Sequence, residues 1–117
     1  MSYLLGIDVG TSGTKALVID SAQDGAVVGS ATITYPLFTP KPLWAEQNPE
    51  DWWNATVASV KEAISQAGIT GKDISGIGLS GQMHGAVFLD ESDRVLRPSI
   101  LWCDQRTAAE CEWITQK

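Results

Sequence analysis

Asp8, the run Gly10-Thr11-Ser12-Gly13-Thr14 and Lys15 are the residues here whose types and spacing could do chemistry together. Two glycines three positions apart allow positive φ and a close backbone approach to a ligand. Hydroxyls and turn N–H groups suit phosphate oxygens. A carboxylate just before such a turn cannot bind phosphate itself, but it can hold Mg²⁺, usually through water. Lys15 adds a positive charge. The set describes a nucleotide-phosphate site with its metal. A plain β-hairpin with a Gly/Ser/Thr turn has the same letters, so the turn alone does not decide.

A second cluster is Gln82-Met83-His84-Gly85. It follows an apolar run, and open α/β sheets place ligands just past the carboxyl ends of strands. His84 is the single histidine of the chain and could exchange a hydrogen bond with a sugar hydroxyl. By chemistry alone a lone histidine in a turn is more often merely solvated.

The elements that must carry these residues follow from periodicity. Leu5, Ile7 and Val9 share one strand face; Lys15, Leu17 and Ile19 share a face of the next strand. Asp20 to Gly25 is turn chemistry ending in Asp24-Gly25. Val27 to Thr34 is a third strand, rich in β-branched residues, which completes an antiparallel meander. Tyr35 to Asn48 is a connector broken by Pro36, Pro40 and Pro42, with Trp44 expected to pin it. Asn48-Pro49-Glu50-Asp51 opens a helix: a cap, a proline for the first position and two acids at the positive end. Trp53, Val57, Val60, Ile64 and Ala67 predict its buried face, Trp52 and Trp53 are read as core, and Gly68 ends it.

Ile74 to Ser80 reads as a fourth strand. Within it Gly76-Ile-Gly-Leu-Ser-Gly81 matches a dinucleotide-binding fingerprint letter for letter. That fingerprint needs a helix opening on its glycines, and here they fall inside the strand, so we set it aside. Ala86 to Asp90 is expected to pair with Val95-Leu96 across a turn that uses Asp90 and Asp93. Ile100-Leu-Trp102 is a short apolar run. Asp104 is expected to cap a last helix with Ala108, Cys111 and Ile114 on one face. That pattern runs to Lys117 without a breaker, so the chain is expected to stop in mid-fold.

Composition bounds the partners. The 117 residues are 44% hydrophobic, enough for a folded domain with a modest core. The formal net charge of −6 argues against nucleic acid and against anionic membrane. Neither a signal peptide nor a membrane span is expected, which suggests a cytoplasmic protein. Cys103 and Cys111 match no zinc or redox spacing, and packing is the expected role. Asn54-Ala-Thr56 spells a glycosylation sequon, but within a helix of a chain read as cytoplasmic it carries no weight.

Four segments, in order, resemble the FGGY carbohydrate kinases: Gly6-Ile-Asp-Val-Gly-Thr-Ser-Gly-Thr-Lys15, Trp44-Ala-Glu-Gln-Asn-Pro-Glu-Asp-Trp-Trp53, Ser80-Gly-Gln-Met-His-Gly85 and Leu101-Trp-Cys-Asp-Gln-Arg-Thr107. The first is similar to actin-like ATPases at large. The third is the more specific and resembles the branch of the family that acts on xylulose. The resemblance implies an α/β fold, the actin-like, ribonuclease-H-like ATPase domain, with residues 1–117 as the first part of its N-terminal domain. It implies ATP and Mg²⁺ as cofactors and transfer of the γ-phosphate to D-xylulose or a related sugar. By motif, Asp8 matches the acid near Mg²⁺, and Thr11, Ser12, Gly13 and Lys15 match the phosphate loop. Gln82, Met83, His84, Trp102, Asp104 and Arg106 match the sugar side. The general base and the adenosine-binding domain of such kinases lie later than Lys117. The resemblance also admits a homodimer, without marking an interface. Two other readings stay open: a sister kinase for another polyol or sugar acid, and a non-catalytic nucleotide-binding module.

Overall fold

The computed structural model describes residues 2–117. The chain divides into two compact units. One holds the residues up to Tyr35 together with Glu50–Gln82; the other holds Pro36–Pro49 together with Met83–Lys117.

The first unit is built on a four-stranded sheet. Strands β1 (Tyr3–Val9), β2 (Gly13–Asp20) and β3 (Ala26–Thr34) form the expected meander. The next strand of this sheet, Ile74–Gly81, pairs parallel to β1 on its free side. A parallel return needs a crossover, and the helix α1 (Pro49–Ala67) provides it. Proline occupies the first helical position, and Gly68 follows the last with φ +70°, as the sequence reading expected. Register puts Leu5 opposite Val18 and Ile7 opposite Ala16. Leu5, Ala16 and Val18 pack with Ala63 of α1, ringed by Tyr3, Val60, Ile64 and Ile74.

The buried stripe of α1 differs from the expected one. Ala55, Ser59 and Ala63 are its buried residues, whereas Trp53 is 65% exposed. The reason lies in β3. A Cβ built on Gly29 would meet the Ala63 carbonyl oxygen at 2.1 Å, so helix and sheet touch backbone to backbone. Only small side chains fit such an approach, and the larger ones are displaced to its flanks.

In the second unit the regular structure is short. A two-residue strand at Glu46–Gln47 pairs antiparallel with Ser99–Ile100. In chain order these strands are β4 and β6, and Ile74–Gly81 is β5. Ala86 to Asp90 is not a continuous strand. Ala86 bridges Ile100 and Leu89 bridges Val95, with the Asp90–Arg94 turn closed by Asp90 as expected. The helix α2 (Ala108–Thr115) starts after Thr107, because the Asp104 carboxylate is engaged elsewhere. It has no buried residue, so the face of Ala108, Cys111 and Ile114 lies open. Cys111 is exposed, against the packing role expected of it. No helix among the described residues is long and apolar enough to cross a membrane.

Candidate functional site

In the first unit the glycine turn joins β1 to β2. Gly10 N–H donates to the Gly13 carbonyl at 3.0 Å, which closes it. A Cβ on Gly13 would meet the Ile33 carbonyl oxygen at 2.6 Å, so glycine is required there for space. Register places Asp8 directly opposite Lys15, and opposite residues of an antiparallel pair project from the same face. Both are exposed, and among the described residues neither is held in an ion pair. They border a groove of about 390 Å³ that Gly6, Leu17, Gly78 and Ser80 also line. Thr11 is half-buried and Ser12 exposed at the turn itself.

Because β5 runs parallel to β1, Gln82 emerges at the same end of the sheet as Asp8. Its backbone N–H donates to the Val9 carbonyl at 2.8 Å. Its side-chain amide lies against the glycine turn: Nε2 donates to the Gly10 carbonyl at 3.4 Å, and Oε1 accepts from the Thr11 hydroxyl at 3.3 Å. Tyr35, buried at the start of the connector, also donates its hydroxyl to the Gly10 carbonyl. Burial raises the pKa of this phenol, and the nearby Asp8 charge adds to the rise, so it is a donor at neutral pH.

A magnesium–nucleotide group fits these residues. An acid and a base share the mouth of a turn that has no room for a side chain at Gly13. Among the described residues no three His, Cys, Asp or Glu gather to hold a metal. Mg²⁺ keeps several waters and takes phosphate oxygens beside one or two carboxylates, and Asp8 is such a carboxylate.

In the second unit Met83 and His84 open the segment after β5. Met83 is 70% exposed, and His84 is exposed with φ +62°, a conformation non-glycine residues seldom adopt. The following Ala86 N–H donates to the Ile100 carbonyl at 2.9 Å, which fixes this segment beside the one leading to Trp102. Trp102 presents an exposed ring.

Asp104 and Arg106 are brought together. The carboxylate of Asp104 accepts from Arg106 Nε at 3.0 Å and Nη2 at 2.7 Å, and from the Ala45 N–H at 2.7 Å. Arg106 Nη2 also reaches Glu46 Oε2 at 2.7 Å, an oxygen that Arg97 shares. The guanidinium carbon lies 3.6 Å from the centre of the Trp44 ring. Chiefly through the Arg106 hydrogen bonds, the Asp104 pKa falls well below the usual carboxylate range. The same bonds raise that of Arg106. Two acids and two arginines thus tie residues 44–46 to residues 97–106. The sequence reading picked out Asp104 and Arg106 but gave Glu46 and Arg97 no part. The signal available was Glu46 beside Trp44 in a polar connector, one acid that a buried arginine would need.

Residues 3–117 match the N-terminal domain of the FGGY family of carbohydrate kinases. The chain belongs to that family. It is 44% identical over its whole length to a xylulose kinase of Bacillus subtilis, covering 23% of that protein. It is 40% identical over 98% of its length to a glycerol kinase of Rhizobium meliloti, again covering 23%. The crystal structure of xylulose kinase from Rhodospirillum rubrum superposes with a TM-score of 0.86 at 32% identity, over 98% of this chain and 23% of that one. The chain therefore spans about a quarter of the length of the relatives it matches, and its fold is that of the first part of the actin-like kinase domain.

Proposed function

We propose that the protein carrying this chain transfers the γ-phosphate of ATP to a hydroxyl of D-xylulose. The observation that carries the reading is the placement of Asp8 opposite Lys15 at the mouth of a glycine turn, at the carboxyl end of a parallel strand pair. Phosphoryl transfer asks for positioning and charge neutralisation more than for covalent help from the protein. Lys15 and the turn at Thr11, Ser12 and Gly13 would hold phosphate oxygens. Asp8 would hold Mg²⁺ through water, and the bound metal would neutralise the transferring group. Gln82, Met83, His84 and Trp102 would form the sugar side. Asp104 and Arg106 serve that side indirectly, by fixing the loop that displays Trp102, since their polar atoms already face each other and Glu46.

Residues 1–117 would form the first part of the N-terminal domain. The general base and the adenosine site would come from the rest of the protein, working in the cytoplasm. D-Xylulose is favoured because xylulose kinases of several organisms match the chain at 40% identity or more. A sister activity stays in view because a glycerol kinase matches as well as some of them.

The test is ADP release by the full-length protein with Mg-ATP and D-xylulose, glycerol or gluconate in parallel. Turnover with xylulose above the others is expected. Selective turnover with another substrate would reassign the sugar, and silence with all of them would leave a binding module. Asp8→Asn should lower kcat by on the order of 10²-fold in the same assay.

A further inference from the structure

We propose that Tyr35 is a positioning residue for the nucleotide, acting through the backbone of the phosphate turn, with Thr14 behind it and Gln82 beside it. The inference rests on the kinase reading and goes beyond it, because Tyr35 lies outside every segment that resembled a kinase motif.

The geometry is local to the first unit. Tyr35 grips the turn twice. Its hydroxyl donates to the Gly10 carbonyl, and its backbone N–H donates to the Ser12 carbonyl at 3.4 Å. Behind it the fully buried Thr14 hydroxyl donates to the Tyr35 oxygen at 3.4 Å, so that oxygen accepts from one side and donates on the other. Gln82 adds a second donor on Gly10 at 3.4 Å.

A trans peptide is planar, with its C=O and the following N–H pointing in opposite directions. Anchoring the Gly10 carbonyl therefore aims the Thr11 N–H the other way, and anchoring the Ser12 carbonyl does the same for Gly13. The turn contains two glycines, whose wide φ range would otherwise leave these directions loose. Tyr35 sets them before a phosphate arrives. A preset turn binds more tightly because less ordering remains to be done on binding.

The test uses the full-length protein with Tyr35→Phe, which keeps the buried ring and removes the hydroxyl. Titration calorimetry with MgADP should show Kd raised by about 5-fold, the equivalent of one ordinary hydrogen bond. In turnover, KM for MgATP should rise with it while KM for the sugar stays put. Thr14→Val, the near-isosteric change one step further back, should move the same two quantities in the same direction by less. A Tyr35→Phe protein with wild-type Kd for MgADP overturns the proposal. Equal rises in both KM values also overturn it, since general loosening would do that. Wild-type protein that binds MgADP but phosphorylates no sugar would defeat the kinase reading while the calorimetry still decides this one. Wild-type protein that does not bind MgADP removes both.

Discussion

Asp104 shows how one residue type in one place can be read two ways. An aspartate three or four positions before an amphipathic run is a good helix cap, and the sequence reading used it so. The fold instead turns it toward Arg106 and the Ala45 N–H. The consequence for pH has a definite sign. A carboxylate whose folded pKa is depressed contributes stability above its ordinary value of 3.8 and loses that contribution as pH falls toward the folded value. Asp104→Asn should therefore be less stable than wild type at pH 7. The gap should narrow steadily between about pH 4 and pH 2 in urea titrations. A gap that does not change with pH would mean the ion pair is not the cause. Ser99 makes the opposite case. Its hydroxyl is fully buried without a hydrogen-bond partner, the one such side-chain atom among the described residues. Ser99→Ala should raise stability by about 1 kcal/mol, since no bond is lost and a desolvated hydroxyl is removed.

At the level of elements the sequence was legible where period and punctuation agreed. The meander, the helix start at Pro49, its end at Gly68 and the glycine-bearing strand β5 all follow from local pattern. The dinucleotide fingerprint fails in the structure for the reason given beforehand: Gly76, Gly78 and Gly81 all lie within β5. What local pattern could not show was how closely α1 approaches β3. Helical spacing identified several residues flanking the core, such as Val60 and Ile64, but not the central stripe. That stripe is set by Gly29, more than twenty residues earlier in the chain. Gly29→Ala forces a methyl group against the Ala63 carbonyl and should cost about 3 kcal/mol, at the upper end for overpacking. Gly78→Ala, where nothing lies within 4 Å of the added carbon, should change stability by less than about 0.5 kcal/mol. The pairing of Asp8 with Lys15 across the glycine turn was likewise readable, because acid, turn and lysine are contiguous. The Glu46–Arg106–Asp104 network was only half readable, because its partners lie about sixty positions apart and only folding brings them together.

On the scale of the whole molecule, apolar side chains remain uncovered in places that fit a continuing domain. Ile77 and Leu79 on β5 are 62% and 77% exposed, and Trp113 and Ile114 of α2 are nearly as open. The 117-residue chain prepared alone should bind a hydrophobic dye strongly and self-associate with rising concentration. It should release no ADP in a sugar-dependent way. The full-length protein should show neither dye binding nor self-association of this kind. Equal dye binding by both would mean that these faces stay open in the complete protein.

The chain passes between its two units three times, after Tyr35, after Pro49 and after Gln82. Two of those three departures leave from side chains that hold the Gly10 carbonyl. In mechanical terms the Gly10 peptide is guyed from two strand ends, since Tyr35 follows β3 and Gln82 follows β5. A displacement of either side chain too small to disturb the sheet would still turn the Thr11 N–H.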